Sequence, residues 1–528
     1  MEGVMRVTAR IVLMLLVAVV AAPFTARGSD WKADLAELLS TPEGAEIEGA
    51  LDRVVRSAPD WTSVALALES LEFPGVPAAG EPSLRSSVCT DTVERPWVLL
   101  VPPGYDPSVP TPLLVVLHGG ASQAEIPDDP VGEVRDNEFA AWALENGWIS
   151  VFPFAQAGAT WWEDVGMANV RSIVRTAKRE LNIDDDRVWM CGFSDGASAG
   201  FLNAMLTPGD YAAFVALNGH MGVGSLDGNL PIYAPNMAAT PIFATTTFDD
   251  GLYPSRKMRE SFKMAMAAGA DILYRELPGR HDFDDVAGEL PSIARFLERH
   301  VRDPFPSRIT WEAARGEFGA CRWFVIDEVL AVDAADWHVD HNVSMIDDRV
   351  TVGFHPDYEF EGPGILVSSL SDGDYPARRI GLASGDVIVR AGAVRTDSLA
   401  NLNEWKTTVS RGDPFTLTVL REGEEVVLGG TLPEPSAYFI FKRDVPSAAA
   451  RVSFAANRVD VATSRVGALR VLVHPDMVAM GENLVIAVDG VVVHDAPVEP
   501  DVEFMLRNFL ENRDRRLVYV AEVVVEVE

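Results

Sequence analysis

Between residues 88 and 304, short runs of aliphatic and β-branched residues alternate with longer stretches of helical spacing, and this alternation constrains the fold more than any other feature. Strands that alternate with helices are joined by crossover connections, so they pair in parallel and the helices cover both faces of the sheet. Strands are expected at 97–101, 113–117, 149–152, 188–191, 214–217, 242–245 and 272–276, with a helix over 168–181. The expected class is therefore α/β. At 528 residues the chain is too long for one such unit, and three or four folded units are expected. A helical lead-in is read over 28–87, before the α/β unit at 88–304. Beyond Pro304 and Pro306 the pattern changes to strands, at 349–354, 365–368, 386–390, 415–421 and 517–527. The alternation of Val518 and Val520 shifts phase at Val523, Val525 and Val527, as a bulge would allow.

The run Arg187-Val188-Trp189-Met190-Cys191 leads straight into Gly192-Phe193-Ser194-Asp195-Gly196 and then a helix-compatible segment. Gly-x-Ser-x-Gly at a strand-to-helix junction allows a sharp turn that projects the serine hydroxyl, with the helix N-terminus aimed at a developing oxyanion. A serine nucleophile needs a base, and the base needs a carboxylate to fix its tautomer. Two later strand ends offer them. One runs Thr247-Phe248-Asp249-Asp250-Gly251-Leu252-Tyr253-Pro254, the other Pro278-Gly279-Arg280-His281-Asp282-Phe283. Upstream, the apolar strand at 113–117 ends in His118-Gly119-Gly120. Backbone N–H groups of Gly120 and Asp195 are the candidate oxyanion hole, each donor worth about 3 kcal/mol. His118 itself is read as a loop-packing histidine.

Residues 88–304 resemble an α/β-hydrolase of the secreted esterase and prolyl-oligopeptidase-like group, with a Phe-Ser-Asp-Gly core similar to phospholipase/carboxylesterase-type enzymes. The resemblance rests on Pro102-Pro103-Gly104-Tyr105-Asp106 before the His-Gly strand, on Asp186-Arg187-Val188 before the nucleophile, and on the loop Asp250-Gly251-Leu252-Tyr253-Pro254. It implies a triad of Ser194, Asp250 and His281, choosing Asp250 over Asp249. Ala197 stands where many relatives carry a second glycine. Trp161 and Trp162 are read either as aromatic walls of the pocket or as core, and His220 either as a pocket residue or as a loop partner.

A second resemblance covers residues 360–434. Gly364-Ile365-Leu366-Val367-Ser368, then Pro376-Ala377, then Gly381-Leu382-Ala383-Ser384-Gly385-Asp386-Val387-Ile388, is similar to a bacterial-type PDZ domain. The resemblance implies a peptide-accepting groove along Gly364, Ile365, Leu366 and Val367, facing a helix near 398–409. Pro363 removes a donor from the loop that would hold a terminal carboxylate. Packing of this unit onto the hydrolase is the other reading. The flanking β-rich stretches, 306–355 and 436–528, are read as one β domain interrupted by this insertion.

Acidic residues outnumber basic ones 78 to 44, a net charge of -34, and such a field repels phosphate backbones and anionic membranes. Nucleic-acid binding is excluded on that ground. Arg6 and Arg10 precede an apolar run over 11–22 that is too short to span a bilayer, which reads as a signal peptide ending near residue 27 and places the protein outside the cytoplasm without stable membrane insertion. The three cysteines, Cys89, Cys191 and Cys321, lack the spacing of a metal site and allow one disulfide at most, with the pairing of Cys89 and Cys321 left open. No metal is expected at His338-x-Asp340-His341, since in a strand His341 points away from the other two. No cofactor is expected. The partners expected are a small or polymeric ester and a peptide or protein C-terminus. A prolyl-oligopeptidase-like peptidase and a catalytically silent binding scaffold are the competing functional readings.

Overall fold

The protein is described from a computed structural model over residues 30–41, 45–76, 79–123, 125–358, 360–371, 373–441 and 443–527. The expected signal peptide lies outside these residues. Three short helices open the described chain: α1 (Trp31–Ser40), α2 (Ala45–Ser57) and α3 (Trp61–Glu69).

Eight strands then build one sheet: β1 (Ser83–Val88), β2 (Glu94–Leu100), β3 (Thr111–Leu117), β4 (Ile149–Pro153), β5 (Ile183–Phe193), β6 (Ala213–Leu217), β7 (Ile242–Thr247) and β8 (Ile272–Leu277). Their order is β1-β2-β4-β3-β5-β6-β7-β8, antiparallel at β1-β2-β4 and parallel from β4 onward. Two residues per strand repeat divide each strand between two cores. Leu113, Val115 and Leu117 face one of them, and Leu114 and Val116 the other. Burial on both faces explains why β3 reads as an unbroken apolar run. Helices α4 (Asp164–Glu180) and α5 (Asp195–Leu206) pack into the first of these cores through Val170, Ile173, Phe201 and Leu202. This is the α/β-hydrolase fold, and it begins with β1, a few residues before the expected boundary at 88.

The rest of the chain adds β-rich segments. A two-sheet unit holds β9 (Arg308–Ala313), β10 (Ala320–Cys321) and β11 (Phe324–Val329). A narrow ribbon pairs β12 (Ser344–Asp347) with a strand that returns almost a hundred residues later. Between them lies an insertion with β13 (Phe354–Pro356), β14 (Ile365–Leu370), β15 (Val387–Ala391), β16 (Val394–Arg395), β17 (Pro414–Arg421) and β18 (Glu424–Thr431), packed on helix α6 (Leu399–Lys406). The ribbon closes with β19 (Ser436–Phe439). The two-sheet unit resumes with β20 (Ala448–Ala455), β21 (Arg458–Ser464), β22 (Val466–Val473), β23 (Leu484–Val488), β24 (Val491–Ala496) and β25 (Ala521–Glu526). Its sheets, β10-β11-β22-β25 and β24-β23-β21-β20-β9, share one core around Trp311, Trp323 and Leu469.

Two expected strands are shorter than read. Residues 349–353 lie outside any strand, and only Phe354–Pro356 joins the sheet. Residues 517–520 precede β25 as an extended bridge between two cores: Leu517 and Tyr519 face the β unit, Val518 and Val520 the helices. Their alternation is therefore genuine, but it reflects two cores rather than one bulged strand. The lead-in is not separate either, because α1–α3 share their core with α7 (Val502–Asn512) through Leu51, Val54, Met505 and Phe509.

A buried charge cluster joins the hydrolase sheet to the C-terminal segment. Asp514 accepts from Lys178 Nζ at 2.9 Å and from Arg302 Nη1 at 2.7 Å, with all three side chains shut from solvent. Burial alone would raise the Asp514 carboxyl, but the Arg302 and Lys178 charges hold it well below the usual carboxylate range.

Candidate active site

Ser194 sits between the end of β5 and the start of α5 with φ 58° and ψ −119°, a left-handed backbone that a serine adopts only when its surroundings force it. The surroundings are tight. A methyl group added at Gly196 would lie 1.9 Å from the Leu117 carbonyl oxygen, and one at Gly192 would lie 2.4 Å from the Gly196 carbonyl carbon. Both glycines of the motif are thus fixed by close approach of backbone to backbone. Asp195 is the first residue of α5, so its N–H has no acceptor within the helix and is available beside the serine.

Three strand ends meet at this hydroxyl. His281, after β8, has Nε2 2.8 Å from Ser194 Oγ and Nδ1 2.7 Å from Asp250 Oδ2. Asp250 is 3% exposed, whereas its neighbour Asp249 lies in solvent. The second Asp250 oxygen accepts the amides of Leu252 and Tyr253, both at 2.7 Å. Burial pushes the Asp250 carboxyl up, but the hydrogen bonds from His281 and the Tyr253 and Leu252 amides outweigh it and hold it below its ordinary value. A carboxylate can only accept, so the imidazole proton belongs on Nδ1, and Nε2 is left to accept the serine O–H.

The His-Gly-Gly turn lies against the serine: a methyl group at Gly119 would be 3.1 Å from Ser194 Cβ. His118 is committed to that turn, with Nδ1 2.7 Å from the Gly119 carbonyl and Nε2 accepting the Ala155 amide at 2.9 Å. Gly120 follows at φ 65°, exposed beside the hydroxyl-bearing turn. Trp161 lies beneath it, donating to the His118 carbonyl at 3.0 Å. Trp161 and Trp162 are both buried in the main core rather than lining a wall of the site. His220, at the end of β6, is also buried, and it borders a cavity of about 340 Å³ next to Tyr253.

Four contributors to the site escaped the sequence. The Asp195 side chain accepts the Ala121 amide at 2.8 Å and so ties the His-Gly-Gly turn to the helix start. Asn218, itself at φ 53°, donates to Thr247 Oγ1 at 2.8 Å and to Asp250 Oδ2 at 3.3 Å. Tyr253 meets His281 edge to face at 5.7 Å, and Phe193 flanks the same imidazole at 5.0 Å. An asparagine directly after the β6 apolar run was the one available signal, since Asn tolerates the left-handed region.

The groove expected along Gly364, Ile365, Leu366 and Val367 is not where the structure leaves a free edge. β14 is an inner strand: Val367 pairs with Pro356 of β13, and Ile365 and Leu366 pair with Ile388 and Val387 of β15. Gly364 abuts β15, and Pro363 lies in the β13–β14 loop. One edge strand is β13, the other β18, and a cavity of about 240 Å³ runs between β13 and α6, lined by Val352, Phe354, Leu402 and Lys406. The strand expected at 365–368 is present as β14, but β13 pairs along it, so the edge of the sheet lies one strand earlier.

All three cysteines are free and buried. Glu312, His338 and Asp340 place ligand-type atoms within 4.8 Å of one another. Glu312 Oε1 is already taken, accepting from Arg443 Nη1 and Ser447 Oγ at 2.6 Å each. A cation there would have to displace a guanidinium, so the residues do not suit a metal.

No family model matches this chain. Over 125 residues, 23% of the chain, it is 27% identical to a bifunctional acetylxylan esterase/xylanase of Neocallimastix patriciarum, and the match spans only 18% of that protein. Among solved structures, a thermostable esterase is 20% identical with a TM-score of 0.34, covering 42% of this chain and 63% of its own. The fluorophosphonate-binding serine hydrolase F of Staphylococcus aureus is 16% identical with a TM-score of 0.35, covering 43% and 100%. Dipeptidyl peptidase 4 of Porphyromonas gingivalis is 12% identical with a TM-score of 0.32, covering 42% and 35%. The chain is thus similar, over part of its length, to esterases and other serine hydrolases.

Proposed function

We propose that the protein is a serine hydrolase that cleaves carboxylic esters through an acyl-enzyme, exported by an N-terminal signal and carrying a PDZ-like interaction unit. The observation that carries this reading is the unbroken chain from Ser194 Oγ to His281 to Asp250, at 2.8 and 2.7 Å. His281 Nε2 takes the serine proton as Oγ bonds to the ester carbonyl carbon. The oxyanion forms against the amides of Gly120 and Asp195, and the protonated imidazole, held by Asp250, passes its proton to the departing alcohol. Water then attacks the acyl-enzyme by the same route in reverse. Esters are preferred to peptide amides as the substrate class because the curated relative is named an acetylxylan esterase.

The β13 edge facing α6 supports the PDZ-like reading, since an extended peptide could pair there as an added strand. Arg6, Arg10 and the apolar run over 11–22 support export.

The test is Ser194→Ala. The wild-type protein is expected to hydrolyse p-nitrophenyl acetate and to be labelled by a fluorophosphonate probe. The variant should lose the label and about 10⁴-fold or more of the rate, with an unchanged melting temperature. Undiminished turnover in the variant overturns the assignment, and a panel in which peptide amides outrun esters overturns the substrate class.

A further inference from the structure

The end of β6 reaches all three members of the triad. The Leu217 carbonyl accepts the Ser194 amide at 2.9 Å, and the next residue, Asn218, directs its side chain at the strand ends that carry the other two. Its Nδ2 donates to Asp250 Oδ2 at 3.3 Å, the same oxygen that lies 2.7 Å from His281 Nδ1. Nδ2 also donates to Thr247 Oγ1 at 2.8 Å, and the Thr247 hydroxyl donates in turn to the Arg280 carbonyl at 2.6 Å, directly before His281. That carbonyl is 3.4 Å from Nδ2 as well. On its other side Asn218 Oδ1 accepts the Thr245 hydroxyl at 3.1 Å, and the Asn218 backbone amide donates to the Thr245 carbonyl at 3.0 Å.

Few residue types suit this place. Asn218 is shut from solvent, and its left-handed backbone at φ 53° is open to glycine, asparagine and aspartate at little cost. Of these, asparagine alone gives a donor to a carboxylate and an acceptor to a hydroxyl without taking up a proton. The carboxylate it meets is held from both ends. The Leu252 and Tyr253 amides take one Asp250 oxygen and Asn218 the other, which fixes the carboxylate plane with Oδ2 toward the imidazole.

We propose that Asn218 is a positioning residue of the triad, acting through the Asp250 carboxylate and the Arg280 carbonyl to hold the His281 imidazole in line with the Ser194 hydroxyl. This rests on the hydrolase reading for its kinetic consequence and on the hydrogen bonds alone for its structural one.

The test pairs Asn218→Gly, which removes the side chain and leaves the left-handed backbone unstrained, with Thr247→Val, which keeps the shape and breaks the link to Arg280. Asn236→Ala is the control, because Asn236 is equally buried and bonds to Glu312 and to Met205, near the end of α5 remote from Ser194. Rates are taken per site titrated to completion with a fluorophosphonate, so that unfolded protein is not counted. On p-nitrophenyl acetate kcat should fall about 30- to 100-fold in Asn218→Gly and about tenfold in Thr247→Val, with KM within about twofold. Asn236→Ala should lower the melting temperature and leave kcat within about twofold. In the resting protein, NMR on isotope-labelled histidine should show the His281 Nδ1 proton exchanging with water about tenfold faster or more in Asn218→Gly. A kcat within about twofold of wild type in both variants, an equal loss in Asn236→Ala, or an unchanged exchange rate overturns the assignment. Faster exchange in a protein that neither hydrolyses the ester nor takes the label supports the role of Asn218 and sinks the hydrolase reading instead. If Asn218→Gly fails to fold, Thr247→Val decides by the same two readings.

Discussion

The serine site and the β13–α6 groove differ in how they are made. The first is over-determined: a left-handed serine, two glycines with no room for a methyl group, and an aspartate tied by two amides and a histidine. The second consists of an edge strand three residues long beside a helix of eight residues, and among the described residues that strand is paired on one side alone. A hydroxyl held against an imidazole demands positions that few residue types can fill, whereas an open strand edge demands only that pairing stop.

The contrast is broken or sharpened by substitutions on each side. Asp250→Asn should cost about 10³ to 10⁴ in kcat on p-nitrophenyl acetate, because an amide in place of the carboxylate leaves His281 in the wrong tautomer, while the stability of the insertion is unchanged. Steady-state kinetics checks this, and a loss below tenfold would mean the imidazole is held by something else. Trp405→Ala empties the core of the insertion, where the indole is 2% exposed, and should destabilise that unit by about 3 to 5 kcal/mol. Acetate hydrolysis should stay within about twofold. Urea unfolding followed in parallel with activity separates the two, and joint loss would show that the units do not fold independently.

The smallest effect is in the response to acid. Asp386, in the insertion, is pushed up by burial and held below its ordinary value by Arg421 and the Ala383 amide, as Asp250 is by His281 and its own two amides. Each binds its proton less readily in the folded chain than in the unfolded one. Their stabilisation is thus fully present above about pH 4 and is lost as pH falls below it. Asp386→Asn should flatten the acid limb of the insertion's unfolding and leave that of the catalytic unit in place, as a melting-temperature profile against pH would read.

The same contrast explains what could be read before the fold was known. Ser194, Asp250 and His281 follow apolar runs whose ends are marked by glycine, aspartate or proline, so each announced its own strand end. Asp195's grip on the Ala121 amide and Asn218's on Asp250 carry no local mark, since they depend on which strand ends the sheet order makes neighbours. Trp161 could have been wall or core on composition, and only the stacking of the His118 turn over it decides for core. That β13 covers β14 was hidden for a similar reason. An edge is a property of the finished sheet, and β14 carries a stronger apolar pattern than the short strand that covers it. The shared core of α1–α3 and α7 joins segments more than four hundred residues apart, beyond any pattern along the chain.

The ribbon gives the insertion only two attachment strands, and one face of those strands is a wall of the cavity beside the triad. A turn of the insertion about those two strands would carry Met345 and Tyr438 with it, so that the pose of the insertion and the shape of the cavity share a single mechanical joint.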